Sequence, residues 1–308
     1  MQQVTVFVPA SIANLGCGFD IMGMAIESAG DIVRMEMSEG DGIEIINKTD
    51  FDIPCSVEDN VMTPSIKAML QDRGVKAHIR VTLMGKIMPG SGIGSSAASA
   101  SAAVFALNHL LGKPYDSKRL VEFAMEGEAL SSGGAKHADN VAPALLGGIV
   151  LICSYHPFEY ITIPFPKDFC AVVAHPHITV KTSESRAVLP EKIPLHDAIQ
   201  QWANVGGLVS GFMKGDMGLV ARSMRDVIVE PYRKRFIPGF DQLGERLMAE
   251  GGETFNISGS GPSVFALCKD ASVGARLEVI MVEHFQQFGI KVDTFLSKGD
   301  NLGARVIF

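Results

Sequence analysis

The chain has 308 residues and a formal net charge of -7 at pH 7, with 47% hydrophobic and 20% charged residues. Because this length exceeds the usual size of one hydrophobic core, we expect two domains. The acidic balance argues against nucleic acid as a partner. The longest nearly unbroken apolar run, Ala144 to Cys153, is far shorter than the roughly 20 residues of a membrane-spanning helix, so we expect no membrane association.

The first half of the chain alternates strands and helices. Periodicity predicts strands at 4–8 and 32–37, a helix at 60–73, a strand at 78–84, helices at 95–111 and 117–130, and a buried strand at 147–153. Ser117 is the expected N-cap of the second helix of the pair. We assign residues 1–160 to an amino-terminal domain.

The second half of the chain follows a Pro-rich stretch and has a different order of elements. The pattern predicts a strand at 169–174, helices within 182–250, strands at 254–258 and 264–268, a helix at 271–288 and a strand at 292–296. That order matches the split βαβ, ferredoxin-like arrangement with extra helices in its first crossover. We assign residues 161–308 to this second domain.

Cysteine usage and the start of the chain predict a cytoplasmic protein. The five cysteines are widely spread, and no two form a Cys-x-x-Cys pair. This spacing favours reduced thiols over disulfides or zinc ligands. The first residues also lack the basic and apolar regions of a secretory signal.

The glycine-rich segment Pro89 to Ser99 is the most informative piece of the chain. Gly90, Gly92 and Gly94 can adopt positive φ and carry no Cβ, so consecutive N–H groups can converge on an anion. The pair Ser95-Ser96 then opens a helix whose free N–H groups and positive dipole end favour the same charge. The segment matches neither a Walker loop nor the dinucleotide-binding spacing. It therefore predicts a phosphate-binding loop of another kind.

Three segments, in order, resemble the motifs of the GHMP small-molecule kinases. They are PASIANLGCGFD at 9–20, the glycine-rich segment, and SGSGPS at 258–263. Within the family the resemblance is closest to the members that phosphorylate L-homoserine, through the first motif, HADNVAP at 137–143 and EPYR at 230–233. The similarity covers essentially the whole chain. It implies an α+β fold of two domains, the first like the second domain of ribosomal protein S5 and the second ferredoxin-like.

The resemblance also implies an activity. It is the ATP-dependent phosphorylation of the side-chain hydroxyl of L-homoserine to O-phospho-L-homoserine in threonine biosynthesis, with Mg²⁺ as the metal and a homodimer as the assembly. Two alternatives stay open. One is a GHMP kinase for another small alcohol, such as mevalonate or a sugar, and the other is a non-catalytic nucleotide-binding sensor.

The resemblance assigns the ATP site mainly to the glycine-rich segment. The expected nucleotide-binding residues are Asn60, Pro89, Gly90, Ser91, Gly92, Ile93, Gly94, Ser95, Ser96, Ala97, Ala98 and Ser99. Mg²⁺ prefers hard oxygen ligands, and the loop serine and helix glutamate of the family fall on Ser96 and Glu128. Glu126, two positions away, is the alternative to Glu128.

The amino-acid end of the site is expected to use arginines and an aspartate. A guanidinium can bind a carboxylate through two hydrogen bonds, which favours Arg186 and Arg233, with Arg235 as the rival to Arg233. Asp20 is the natural partner of the ammonium group. The expected substrate-binding residues are Asn14, Asp20, His137, Thr182, Arg186, Arg233 and Gly259.

The residues expected to take part in catalysis are Lys86, Glu128, Asp139 and Asn140. A loose transition state for phosphoryl transfer requires positioning and charge neutralisation rather than covalent chemistry. We hypothesise direct attack of the substrate hydroxyl on the γ-phosphorus. Whether Asp139 removes a proton as a general base stays open.

Overall fold

A computed structural model describes residues 2–131, 133–180 and 182–308 of the chain. In this part of the chain, eleven strands form two separate sheets. No helix within it is both long and apolar enough to cross a lipid bilayer.

Most of the first sheet comes from the amino-terminal half. Its strands are β1 (Gln2–Ala13), β2 (Met22–Ser38), β3 (Gly42–Asn47), β4 (His78–Gly85), β5 (Ile149–Tyr155), β6 (Phe158–Ile163) and the last strand of the chain, β11 (Arg305–Val306). The path runs β11-β1-β2-β4-β3, and β5 joins β2 and β6. The long β2 pairs with β4 through Ile32 to Ser38 and with β5 through Met22 to Met24, so one strand serves two partners.

Four helices pack against this sheet and one another: α1 (Met62–Arg73), α2 (Ser95–Leu110), α3 (Ser117–Ser131) and α4 (Val141–Leu146). The central one, α2, is built largely of alanine and serine. Alanine has the highest helix propensity, and small side chains let backbones approach closely. Contacts with β1, β2, α1, α3 and α4 therefore surround α2 and fix where it begins.

The second sheet contains β7 (Cys170–Pro176), β8 (Asn256–Ile257), β9 (Val264–Cys268) and β10 (Val292–Ser297). Its order is β10-β7-β9-β8, with every pair antiparallel. Between β7 and β8 the chain forms α5 (Thr182–Ala187), α6 (Leu195–Lys214), α7 (Met217–Ser223), α8 (Glu230–Arg233), a short 3-10 helix and α9 (Phe240–Ala249). The helix α10 (Ala271–Gln287) connects β9 to β10. This confirms the ferredoxin-like order with helices inserted in the first crossover.

Strand β7 is buried on both faces and joins the two halves of the molecule. Alternate residues of a strand point to opposite faces of the sheet. Ala171 and Val173 belong to the large hydrophobic core that extends through the first sheet. Cys170 and Val172 belong to a second core with residues of α9 and α10. The two halves therefore share one continuous apolar contact.

The structure differs from the sequence-based expectations in several local elements. It adds β3, α4, β6 and β11, and β1 and β2 are longer than predicted. The N-cap of α3 is Asp116 and not Ser117, because Asp116 Oδ1 accepts the Arg119 N–H at 2.9 Å. The division at residue 160 also needs a correction at its far end. Although β11 lies within 161–308, Val306 pairs with Val6 in the first sheet.

Candidate active site

One cavity of about 470 Å³ contains most of the residues that the sequence singled out. Its volume falls within the ordinary range for small-molecule sites. The walls come from the β1–β2 connection, the segment before α1, the glycine-rich segment, α3, the 137–140 segment, α5, α8 and the β8–β9 turn. Both sheets therefore contribute residues to a single site.

The glycine-rich segment forms one end of the cavity. Gly90, Gly92 and Gly94 have φ of 75°, 70° and 71°, separated by residues with ordinary negative φ. Alternation of left- and right-handed residues turns successive N–H groups toward one point, which is an anion-binding geometry. Gly94 is the N-cap of α2 and has no side chain to cap the first amides, and a Cβ there would overlap Ser11 Oγ. Four residues of the segment are fully buried and do not line the cavity: Ser91, Ile93, Ala97 and Ala98.

The β8–β9 turn holds this loop from the other half of the molecule. Ser258 Oγ donates to the Gly92 carbonyl at 2.7 Å, and Ser263 Oγ donates to the Ser91 carbonyl. The buried His175 on β7 contacts Ser263 Oγ at 3.0 Å. The SGSGPS motif thus acts on the loop backbone, which the sequence analysis did not foresee.

Lys86 lies at the base of the loop in a buried ion pair. Its Nζ is 3.0 Å from Asp31 Oδ2 and 2.6 Å from Ser95 Oγ. Burial lowers the pKa of Lys86, and the charge of Asp31 opposes that shift. Asp31 was missed by the sequence analysis. Its only signal was a lone acid inside an apolar strand pattern.

Glu128 and Ser96 face each other across the loop end of the cavity and are hydrogen-bonded through their side chains. Burial raises the pKa of Glu128 to about 7. Glu126 points away and its Oε1 lies 2.6 Å from Lys136 Nζ at the surface. The structure therefore brings Glu128, not Glu126, to the loop.

A hydroxyl and a carboxylate are hard oxygen donors that fit Mg²⁺, which takes only one or two protein ligands when phosphates supply others. Within the described ranges no group of three or more His, Cys, Asp and Glu side chains could hold a metal ion. The Ser96 and Glu128 pair is thus suited to a metal that arrives with a nucleotide.

The opposite end of the cavity carries a cluster of charged side chains around Asp20. Arg186 Nη2 donates to the two carboxylate oxygens of Asp20 at 3.0 and 3.1 Å, and it lies 2.9 Å from His137 Nε2. Burial lowers the pKa of His137, and Asp20 opposes that shift. Asn14 Oδ1 accepts the Asp20 N–H at 3.1 Å, and both residues have positive φ, a strain that is common at functional sites.

Arg233 lies beside this cluster and is buried. Its Nη1 donates to the Gly259 carbonyl at 2.9 Å, a carbonyl that also accepts from Asn14 Nδ2. Burial lowers the pKa of Arg233 to about 10, and the neighbouring Arg186 adds to the shift. The guanidinium groups of Arg233 and Arg186 lie 5.0 and 5.5 Å from the ring centroid of Phe19, a second residue that the sequence analysis missed.

Arg235, the rival of Arg233, does not reach the cavity. Its Nε donates to the Tyr232 carbonyl at 2.9 Å on the exposed surface. Arg233 is held inward because Glu230, one turn earlier, accepts the Ile257 N–H at 3.0 Å and fixes α8 against β8. The EPYR motif therefore has a structural acid and a cavity-lining arginine.

Asp139 and Asn140 lie between the two ends of the cavity. Burial raises the pKa of Asp139 to about 7, and the charges of Asp20 and Glu128 add to the shift. Asn140 Oδ1 accepts from Ser11 Oγ at 2.8 Å. Tyr155, also missed from sequence, donates its hydroxyl to the Asp20 carbonyl and accepts the Ala138 N–H, so it joins the first motif to this segment.

Two expected ligand-binding residues are placed differently from the rest. Asn60 lines the cavity, but its side-chain amide donates to the Pro54 carbonyl at 2.6 Å and its oxygen accepts the Met62 N–H at 3.0 Å. It therefore shapes the wall before α1. Thr182 begins α5, and its side chain lies outside the described residues.

A phosphate-type loop and a charged amino-acid-type cluster in one cavity define a small-molecule phosphotransferase. The family model for the GHMP kinases N terminal domain matches residues 60–148, and that for the GHMP kinases C terminal matches residues 208–287. A homoserine kinase of Chlorobium phaeobacteroides is 39% identical over 321 residues, covering 100% of both chains.

Solved structures agree with this comparison. The crystal structure of a homoserine kinase from Cytophaga hutchinsonii has 42% sequence identity and a TM-score of 0.93, covering 100% of this chain and 98% of that one. A Leishmania mevalonate kinase, named as L. major, has a TM-score of 0.72 at 15% identity and shares the fold alone. The chain belongs to the GHMP kinase family, in the group of its homoserine kinases.

Proposed function

We propose that this protein transfers the γ-phosphoryl group of ATP to the side-chain hydroxyl of L-homoserine, which gives O-phospho-L-homoserine and ADP in threonine biosynthesis. The observation that carries the proposal is one cavity with a phosphate-type loop at one end and the Asp20, Arg186 and Arg233 cluster at the other. A kinase must hold its donor and its acceptor in line, and this arrangement provides a place for each.

The loop amides and the first turn of α2 bind the ATP phosphates. Successive N–H groups and the positive end of the helix dipole stabilise negative charge on the transferring group. Ser96 and Glu128 hold Mg²⁺. When bound, this ion neutralises charge on the phosphate oxygens.

The charged cluster recognises the amino acid. Arg186 and Arg233 bind the carboxylate of homoserine, and Asp20 binds its ammonium group. In the described structure Asp20 and Arg186 neutralise each other, so the substrate exchanges one ion pair for two. Asn14 and His137 hold the neighbouring backbone and ring in place.

The hydroxyl oxygen of homoserine attacks the γ-phosphorus in line. A bond forms between that oxygen and phosphorus, and the bond between phosphorus and the β,γ-bridging oxygen of ATP breaks. The hydroxyl proton passes to a phosphoryl oxygen of the transferred group. Asn140 orients the hydroxyl, and Asp139 supplies a buried polar wall without removing the proton.

Two alternatives differ in their acceptors or in turnover. A mevalonate-like or sugar acceptor has no ammonium group for Asp20, and a sugar has no carboxylate for the arginines. A non-catalytic sensor would be expected to lack the loop or a metal ligand, yet Ser96 and Glu128 lie together at the loop. Both features favour the homoserine reaction.

A coupled assay for ADP release tests the proposal. Purified protein with Mg²⁺ and ATP is offered L-homoserine, mevalonate, galactose or no acceptor. We expect kcat/KM for L-homoserine to exceed that of the other acceptors by at least about 100-fold, because unpaired charged groups in the site reject them. Binding of ATP and homoserine without ADP release would favour the sensor.

We also propose a cytoplasmic homodimer. Free thiols at all five cysteines, two of them exposed, suit a reducing compartment. The dimer rests on the family resemblance alone. Light scattering on the purified protein is expected to give twice the chain mass of 33.0 kDa.

A further inference from the structure

Asp31 is a fully buried carboxylate in β2, and it accepts hydrogen bonds from three different places around the glycine-rich segment. Asp31 Oδ1 accepts the Ile87 N–H at 2.9 Å, and Oδ2 accepts from Ser99 Oγ at 2.5 Å. Lys86 Nζ lies 3.0 and 3.2 Å from the two oxygens. One side chain therefore contacts the residues just before the loop and the helix just after it.

Lys86 completes the same connection. Its ammonium group donates to the Ser95 carbonyl at 2.7 Å and to Ser95 Oγ at 2.6 Å, in addition to Asp31. An ammonium group has three donors, and these contacts use all of them. Ser95 Oγ in turn donates to the Ile87 carbonyl at 2.8 Å. The lysine charge is thus directed to the start of α2.

These bonds tie the two ends of the segment 88–94 together. Residue 87 on the entering side and residues 95 and 99 on the leaving side are held by one carboxylate and one ammonium group. A short loop with fixed ends can hold its amides in one geometry, and preorganised donors cost no reorganisation when charge develops.

We propose that Asp31 is a positioning residue for the phosphates of ATP. Through Lys86 and Ser99 it fixes both ends of the glycine-rich segment, and Lys86 acts through the same connection instead of touching the phosphates. The inference rests on the proposed kinase function and replaces the expected catalytic role of Lys86 by a positioning one.

The pair lends itself to a double-mutant test. Removal of one member of a buried ion pair leaves an uncompensated charge, whereas neutral replacement of both is often tolerated. In Asp31→Asn the amide oxygen can still accept from Ile87 N–H. In the double variant Asp31→Asn/Lys86→Met, Ser95 keeps its own bond to Ile87. A lysine that touches phosphate would show no such recovery.

The experiment measures binding of MgADP and of a nonhydrolysable ATP analogue by calorimetry, together with kcat and both KM values. We expect Asp31→Asn and Lys86→Met each to weaken nucleotide binding by about 10- to 100-fold, with the KM for homoserine within about twofold. The double variant is expected to bind at least about tenfold more tightly than Lys86→Met. A double variant no better than Lys86→Met, or Asp31→Asn with normal nucleotide binding, would overturn the proposal.

Asp300→Asn is the matched control. Asp300 is also buried and accepts from two backbone amides and from Arg305, but it lies away from the cavity. It should lower thermal stability and leave nucleotide affinity unchanged. If Asp31→Asn does not fold, Ser99→Ala and the double variant decide, since normal nucleotide affinity in both rejects the proposal. If the wild type binds nucleotide but does not phosphorylate homoserine, only the proposed function fails, because the binding comparison still stands.

Discussion

Two buried carboxyl groups in the cavity, Glu128 and Asp139, have pKa values raised to about 7. Both are penalised by burial when charged, but they differ in their neighbours. Glu128 contacts the Ser96 hydroxyl beside the loop, whereas Asp139 lies between the charges of Asp20 and Glu128. The same shift therefore has different consequences for metal binding and for proton transfer.

Glu128→Gln is expected to weaken Mg²⁺-dependent nucleotide binding by at least about tenfold, because a neutral amide replaces an anionic ligand. A metal ligand must lose its proton, so binding to the wild type should also weaken as pH falls below about 7. Titration of MgADP between pH 6 and 8 measures both effects. Glu126→Gln, the matched control on the surface, should bind normally, and equal losses in the two variants would contradict the assignment.

Asp139→Asn is expected to keep kcat within about tenfold, because the proposed reaction does not use this group as a base. A loss of the 10²- to 10⁴-fold size that is typical of a general base would show that it does. The variant also has a stability signature. The folded pKa of Asp139 is raised, so its favourable contribution is complete below about pH 4 and is lost as pH rises through about 7. Thermal unfolding at pH 8 should therefore favour Asp139→Asn.

At the scale of elements, the start of α2 depends on a glycine. Gly94→Ala would place a Cβ at a φ of 71° and into Ser11 Oγ, which holds Asn140. We expect a rise in the KM for ATP of at least about tenfold and a stability loss of about 1–3 kcal/mol. Gly74→Ala is the control for backbone strain, since Gly74 has a φ of 64° but open space around it. An equal effect of both on KM would contradict the proposed role of the loop.

Local patterns predicted the elements that carry their own signals. The helix α10 and the strand β9 have clear periodicities, and the order of the second sheet followed from them. The strand β6 follows a proline and is mostly exposed, so its pattern was weak. The two-residue β11 exists because β1 offers an edge almost 300 residues earlier in the chain, and no local pattern reports such a pairing.

The same distinction applies to the candidate site. Arg186, Arg233 and the glycine-rich segment belong to short motifs, so their types and spacing pointed to them. Asp31 is 55 residues from Lys86 in sequence, and only the pairing of β2 with β4 brings them together. Tyr155 likewise reaches Asp20 across the fold. Such residues act through long-range contacts that a single sequence does not display.

At the scale of the whole molecule, the second sheet positions the loop of the first. Ser258 and Ser263 donate to loop carbonyls from the β8–β9 turn. Ser263→Ala should raise the KM for ATP by about tenfold and cost about 1 kcal/mol of stability, a typical value for one hydrogen bond. Ser297→Ala is the control, because Ser297 also joins the two halves by accepting the Ser28 N–H, away from the cavity. If Ser297→Ala raised the KM equally, the effect would be one of stability alone.

A crystal structure of the protein with Mg²⁺, a nonhydrolysable ATP analogue and L-homoserine tests the central claim most directly, namely that one cavity holds both substrates in line. We expect the γ-phosphate against the amides of the glycine-rich segment, the metal on Ser96 and Glu128, the homoserine carboxylate between Arg186 and Arg233, and the hydroxyl facing the γ-phosphorus. Nucleotide bound away from the segment, or homoserine bound away from the two arginines, would contradict the account.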